Sequence, residues 1–234
     1  MLNTLLMNTL GPFVVWKGTK LNAGAPLRQI SDEECMAEMP DDLIQAAHGF
    51  DQLRFRSIGS AVLEAPDCDT FCRLFWHDDL KIVAVCMSAN NGTEQLGYVE
   101  FSQYFSDGTT LEVSNNPLPQ PYTVPIKTNY RFPKLMDPAD LLAIFLRLRT
   151  QYEKNAKRVD FDVENGLEVI QQHMAEESNA LLEKGFVKPD IDENHMRALT
   201  FYGALCLTYR SVAPWRNLIG YLSERKSQKA LQVA

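Results

Sequence analysis

The sequence predicts an α+β fold, in which a central antiparallel β-meander sheet is packed by C-terminal helices and preceded by short N-terminal helices. Three observations predict it. The chain has 234 residues, 45% hydrophobic and 23% charged, which is enough for its own core in a globular protein. From about residue 55 to 132, apolar side chains recur with the period of two typical of strands. After residue 137 they recur with the helical period of about 3.6.

We divide the chain into three consecutive segments. Residues 1–49 form an N-terminal apolar and helical segment, residues 50–212 an α+β core domain, and residues 213–234 a basic amphipathic C-terminal helix. Glycine and proline number twelve each, so collagen-like and low-complexity classes are excluded.

Two short helices are predicted before the sheet. The sequence from Ser31 to Glu34 is a capping box, in which the serine hydroxyl and the glutamate satisfy free N–H groups at a helix start. Pro40 opens the second helix, and Gly49 is predicted to end it as the residue after the C-cap.

The strands are bounded by turn signals rich in aspartate, asparagine and glycine. They are predicted at 55–64, 70–77, 80–88, 96–105, 109–115 and 128–132. A three-residue loop ending at Gly108 pairs Phe101 with Val113 and keeps the apolar residues of both strands on one face. We therefore expect Gly108 to adopt a positive φ angle.

The opposite face of this hairpin is polar and aromatic, and its residues alternate with the apolar ones. It carries Tyr98, Glu100, Ser102, Tyr104, Glu112 and Ser114. Such a face suits either water or a partner, and the sequence leaves open which.

The C-terminal helices follow from capping residues and apolar stripes. Asp137 is a predicted N-cap with Pro138 at the first helical position, and this helix is expected to pack on the sheet. A helix at about 164–184 stops at Gly185, a hairpin follows, and another helix runs from Phe201 to about Val212.

The final helix begins at Pro214 and is predicted to be amphipathic. Its apolar stripe comprises Trp215, Leu218, Ile219 and Leu222, and its polar side comprises Arg216, Ser223, Lys226 and Ser227. The stripe is expected either to pack on the domain or to dock on a partner.

The charge is distributed unevenly. Residues 197–234 contain six basic side chains and one acidic one, a balance of +5, whereas the whole chain carries −7, which leaves −12 on residues 1–196. An acidic body with a basic tail disfavours nucleic-acid binding by the chain as a whole, but the tail suits an anionic surface.

No stretch has the roughly 20 apolar residues that a membrane-spanning helix needs. Residues 1–16 carry no charge, but polar residues, glycine and proline interrupt them, and insertion of this segment in lipid is left open. The five cysteines are scattered, which is typical of a reducing compartment. We expect a cytoplasmic location, with membrane association as an option.

Reactive residues are few and dispersed. Cys68, Cys72 and His77 lack a second ligand pair for zinc, and buried thiols with His77 near a hairpin turn are favoured instead. Cys72 or Cys86 as a nucleophile, and Glu100 with Glu112 as an acid–base pair, remain alternatives for an enzyme of unknown chemistry. We assign no catalytic, cofactor-binding or metal-binding residue.

Residues 164–212 follow the order helix, strand, strand, helix, like the end of a winged-helix domain. The helix that would read DNA is acidic, which makes nucleic acid an unlikely partner. A nucleic-acid-binding or regulatory protein of this kind is kept as an alternative.

Several motifs resemble those of an uncharacterised family of bacterial proteins. They are YVEFSQYFSDGTTLEVSNN (98–116), RFP (131–133), DPADLLAIFLRL (137–148), EKGF (183–186) and RALTFYGALCLTYRSVAPWR (197–216). The members share an F-x-DG hairpin, a T-x-x-GA run and a basic tail after a proline, and the similarity covers about 43–234. It implies this fold and a membrane-proximal setting, and it transfers no activity.

The function predicted from these patterns is a non-catalytic interaction module. It is peripheral to a membrane or a subunit of a larger assembly, and its partner is an anionic membrane surface or another protein, with no small-molecule substrate. The predicted docking residues are basic or bulky apolar side chains of the C-terminal region: Arg210, Trp215, Arg216, Leu218, Ile219, Arg225, Lys226 and Lys229.

Overall fold

A computed structural model describes residues 10–65, 68–90, 95–153 and 156–234, and it confirms the α+β fold. The helices of the described residues are α1 (Gly11–Gly18), α2 (Asp32–Ala37), α3 (Asp41–Gln52), α4 (Pro138–Tyr152), α5 (Gly166–Glu183), α6 (Phe201–Ser211) and α7 (Trp215–Val233). The strands are β1 (Lys20–Asn22), β2 (Arg28–Ile30), β3 (Arg56–Leu63), β4 (Asp69–His77), β5 (Ile82–Asn90), β6 (Gln95–Tyr104), β7 (Thr110–Ser114), β8 (Lys127–Arg131), β9 (Val187–Ile191) and β10 (Met196–Leu199).

The chain forms two compact units. The large unit comprises Pro26–Pro117, Lys127–Ile170 and Lys226–Ala234, and the small unit comprises 10–25, Leu118–Ile126 and Gln171–Arg225. Helices α5 and α7 contribute residues to both. The segments predicted from the sequence are consecutive, whereas these units are assembled from separated stretches of chain, and the segments stay a prediction.

The large unit is built on a sheet with the strand order β2-β3-β4-β5-β6-β7-β8. Strands β2 to β7 pair antiparallel with their sequence neighbours, which confirms the meander. The antiparallel pairing predicted for residues 128–132 is wrong, since strand β8 runs parallel to β7. The long connection after β7 brings the chain back to the end from which β7 starts.

One face of this sheet carries the main core. Phe50 of α3, Phe101 of β6 and Phe145 of α4 are fully buried, and the ring of Phe101 lies 5.7 Å from that of Phe50 and 6.1 Å from that of Phe145. Asp137 caps α4 as predicted, since its carboxylate accepts from the Ala139 N–H at 2.8 Å. The expected packing of α4 on the sheet is confirmed.

The opposite face carries a smaller core. Leu74, Trp76 and Val85 are buried there, and Phe161 stacks on Trp76 with 5.5 Å between ring centroids. Leu167, in the first turn of α5, packs against the same cluster.

The small unit contains a three-stranded antiparallel sheet in the order β1-β10-β9. The predicted hairpin of β9 and β10 is confirmed, but its pairing with β1 was not predicted. Buried Arg197 of β10 joins the sheet to α5, since its guanidinium donates to Ser178 O at 3.1 Å and to Asn179 Oδ1 at 3.0 Å.

Two glycines were predicted to end helices, and the structure confirms this for one of them. Gly185 follows α5 with a φ of +73°, as predicted. Gly49 does not end its helix, because α3 continues to Gln52 and places Gly49 in the helix interior. The prediction for Gly49 was wrong because buried Phe50 extends the packed face by another turn.

The predicted hairpin register is confirmed. Phe101 pairs with Val113, and Gly108 has a φ of +78°. The Phe105 N–H donates to Thr109 O at 2.9 Å, which closes the three-residue loop. The Asp107 carboxylate accepts from the Thr109 N–H at 3.0 Å and from its hydroxyl at 2.7 Å, so the F-x-DG motif is a turn signature.

Replacing Gly108 by alanine is expected to lower the free energy of unfolding by about 1 kcal/mol, through backbone strain alone. A Cβ atom at this position has no other atom within 4 Å, so no clash contributes. Gly108→Asn is the control and should cost less, because asparagine tolerates positive φ. The measurement is denaturant unfolding, and an unchanged midpoint for Gly108→Ala would contradict the strained turn.

Candidate docking surface

The amphipathic helix α7 presents its large apolar side chains outward. Trp215 is 45% exposed, Leu218 48%, Leu222 51% and Tyr221 59%. Gly220, on the opposite side of the helix, is buried. Of the predicted stripe, Ile219 alone is partly buried. The stripe therefore does not serve as a core-packing face.

The last part of α7 packs within the large unit through small side chains. Ser227 is 1% exposed, and its hydroxyl accepts from the Arg131 backbone N–H at 2.9 Å. Ala230 and Leu231 contact the main core. Ser227 was predicted to face away from the core, and this is wrong. Its hydroxyl can be buried at little cost because it accepts a hydrogen bond from the Arg131 N–H of strand β8.

The basic residues of α7 are exposed. Among the described residues, no carboxylate forms a salt bridge with Arg216, Arg225 or Lys229. Lys226 lies 5.8 Å from the centre of the Tyr130 ring in the large unit. Arg210 is held in the small unit, where its guanidinium donates to Gln120 O at 3.2 Å.

The exposed aromatic surface continues from α7 onto α6. Tyr202 and Tyr209 are seven residues apart, so they lie on one side of α6, and they are 56% and 37% exposed. The rings of Tyr209 and Trp215 are 6.3 Å apart. The neighbouring Cys206 raises the pKa of the Tyr202 hydroxyl above its ordinary value.

We define the docking face by the exposed aromatic, aliphatic and basic residues that α6 and α7 contribute within the small unit. Its members are Tyr202, Tyr209, Trp215, Arg216, Leu218, Tyr221, Leu222 and Arg225. The sequence reasoning missed Tyr209 and Tyr221. A signal for Tyr221 was available, because it lies three residues after Leu218 on the same helix.

Three thiols of the large unit, those of Cys35, Cys72 and Cys86, are buried, whereas Cys68 is partly exposed. Burial raises the pKa of Cys72 to about 12 and that of Cys86 above its ordinary value. His77 is buried beside the β4–β5 turn, where its Nδ1 accepts from the Leu80 N–H at 3.2 Å. The predicted burial of Cys72 and the place of His77 at a turn are confirmed, whereas the predicted burial of Cys68 is wrong, because Cys68 lies just before β4 and is partly exposed. Within the described ranges, no group of histidine, cysteine or carboxylate side chains is placed to hold a metal ion.

The polar face of the β6–β7 hairpin is largely covered. Glu112 is 6% exposed, and its carboxylate lies 2.8 Å from the Lys127 ammonium and accepts from the Asn129 amide at 3.1 Å. Tyr104 stacks on Phe161 with a centroid distance of 6.1 Å. The residues of this face are therefore engaged within the large unit, and the docking face is the better candidate for a partner.

Over the part of the chain that the structure describes, no helix has both the length and the apolar character needed to cross a bilayer. No protein-family model matches the chain, and no curated protein or solved structure matches it. The family resemblance stays a prediction from short motifs.

Proposed function

We propose that this protein is a non-catalytic interaction module that docks on an anionic membrane surface through the docking face. The observation that carries the proposal is the orientation of α7. Four bulky side chains point outward on the side of α7 that also carries Arg225, Arg216 is exposed in the first turn, and Gly220 occupies the buried side. A helix evolved only for core packing would place its large apolar residues inward.

The chemistry of this face matches the interface of a bilayer. Tryptophan and tyrosine have an apolar body and a polar edge, which suits the depth of lipid headgroups. Leu218 and Leu222 supply aliphatic surface that enters the boundary between headgroups and acyl chains. Each Å² of this surface that is removed from water stabilises binding by about 25 cal/mol. Arg216 and Arg225 supply attraction of about 1 kcal/mol each near anionic lipid.

Two kinds of attraction are needed together. Insertion of a single weak apolar anchor gives only marginal, reversible binding to a membrane. Stable binding needs a second attraction, such as that between basic side chains and anionic lipid. The docking face combines both within one unit of the protein. Binding should therefore require anionic lipid and should weaken as salt is added.

Vesicle sedimentation tests the proposal. The full-length protein should pellet with vesicles of phosphatidylcholine and phosphatidylserine, and should stay in the supernatant with phosphatidylcholine alone. Leu218→Gln together with Leu222→Gln should weaken binding by about tenfold or more, because their apolar burial is lost. These side chains are half exposed, so folding should be preserved, which circular dichroism checks.

Two results would contradict the proposal. If the wild-type protein does not sediment with anionic vesicles at low salt, membrane docking is wrong. If it sediments equally well after the double leucine substitution, another surface binds the lipid. Self-association detected by analytical ultracentrifugation, and abolished by the same substitutions, would identify the face as a protein interface instead.

A further inference from the structure

The small unit has a second exposed apolar cluster, on α1 and the start of α6. Leu10, Phe13 and Val14 are 55%, 53% and 68% exposed. With Lys17 they follow the spacing i, i+3, i+4 and i+7, so they lie on one side of this segment. The buried residues Gly11 and Pro12 lie away from that side.

This cluster is joined to α6 by ring contacts. Phe201 is 40% exposed, and its ring centre lies 5.2 Å from that of Phe13 and 5.8 Å from that of Trp16. The next residue in the chain is Tyr202 of the docking face, and its ring stacks on that of Phe186 with 5.3 Å between the ring centroids. The second cluster therefore adjoins the docking face within the same unit.

The second cluster is also basic. The Lys17 ammonium lies 4.5 Å from the centre of the Trp16 ring, and that of Lys188 lies 6.0 Å from it; both lysines are exposed. The sequence has no aspartate or glutamate before Asp32. Positive charge beside an exposed aromatic and aliphatic surface is complementary to anionic headgroups above acyl chains.

We propose that α1, with Phe201 and Lys188, is a second membrane anchor, which binds the same anionic bilayer as the docking face. This inference rests on the proposed function. Because the two anchors belong to one compact unit, the second binds at high effective concentration once the first is engaged. Loss of either anchor should therefore weaken vesicle binding strongly.

Tryptophan fluorescence distinguishes the two anchors. Of the three tryptophans, Trp16 lies in α1, Trp215 lies in the docking face, and Trp76 is 2% exposed in the sheet core. Trp215→Phe leaves Trp16 as the reporter of α1, and Trp16→Phe leaves Trp215 as the reporter of the docking face. Buried Trp76 provides the same unquenched background in both. The probe is a brominated phosphatidylcholine–phosphatidylserine vesicle.

We expect quenching of both reporters. Quenching of Trp215 without Trp16 would overturn the second anchor and leave the docking face supported. Quenching of Trp16 without Trp215 would support α1 as an anchor and contradict the docking face. If neither is quenched, both proposals fail.

Substitution gives an independent test. Phe13→Ser with Val14→Ser should lower vesicle partitioning by about tenfold or more, from the apolar area that no longer enters the bilayer. Val159→Ser is the matched control, because Val159 is 41% exposed in the large unit, and partitioning should not change. Equal partitioning of the double variant and the control would overturn the inference, provided that circular dichroism shows both to be folded.

Discussion

Replacing Gly203 by alanine is expected to lower the free energy of unfolding by about 3 kcal/mol, through a clash between two backbones. The added Cβ atom would lie 2.0 Å from the carbonyl oxygen of Phe186 and 2.8 Å from its carbonyl carbon. Neither atom belongs to a flexible side chain, so α6 must move away from the backbone of Phe186, just before β9. The expected fall in melting temperature is about 10 °C for a chain of this length.

The surrounding contacts leave little room for that movement. The Thr200 hydroxyl caps α6 by accepting from the Gly203 N–H at 3.0 Å, and it donates to Gly185 O at 2.6 Å. The Tyr122 hydroxyl donates to Gly203 O at 2.9 Å, and Ala204 is fully buried. The T-x-x-GA run therefore marks a helix start that packs closely against the backbone of Phe186, which leads into strand β9.

Gly49→Ala is the matched control, and it is expected to raise the free energy of unfolding rather than lower it. Gly49 is inside α3, and a Cβ atom there meets nothing within 4 Å. Alanine should stabilise this helix by about 0.5–1 kcal/mol. Thermal unfolding followed by circular dichroism measures both variants. A neutral effect of Gly203→Ala would show that α6 does not approach Phe186 so closely.

Reversing the charge of the docking face is expected to weaken vesicle binding by about thirtyfold or more. Arg216→Glu with Arg225→Glu removes about 2 kcal/mol of attraction to anionic lipid and adds repulsion. Both side chains are exposed, and among the described residues neither has a salt-bridge partner to lose. The fold should therefore tolerate the change.

The control changes net charge by the same amount in the large unit. Lys134 and Arg147 are also exposed, so Lys134→Glu with Arg147→Glu tests whether net charge alone explains the loss. Partitioning of both variants is measured by sedimentation at two salt concentrations. Equal losses in the two variants would contradict a localised docking face.

Interactions between residues that are close in the sequence allowed much of this fold to be predicted. The hairpin at Gly108 depends on residues within a few positions of one another, so alternation and turn type were enough to set its register. The cap at Asp137 is equally local. By contrast, β1 pairs with β10 from the other end of the chain, and three residues such as Lys20–Asn22 carry too little pattern to reveal a strand.

The candidate site was predicted only in part. Trp215, Arg216, Leu218 and Arg225 were identified from the sequence, and all four are exposed on the docking face. The periodicity of α7 showed that the helix has two different sides, but it did not show which side is buried. That depends on what the helix packs against, which is a property of the folded chain.

The amino-acid sequence by itself determined the order of elements from α2 onward, the strand register of the hairpin, the main caps and the concentration of positive charge in residues 197–234. These depend on interactions between near neighbours. Tertiary structure decided that Ser227 is buried while Trp215 and Leu222 face outward. The physical reason is that close packing favours small side chains where a hydrogen bond to strand β8 is available, and this leaves the large ones on the surface.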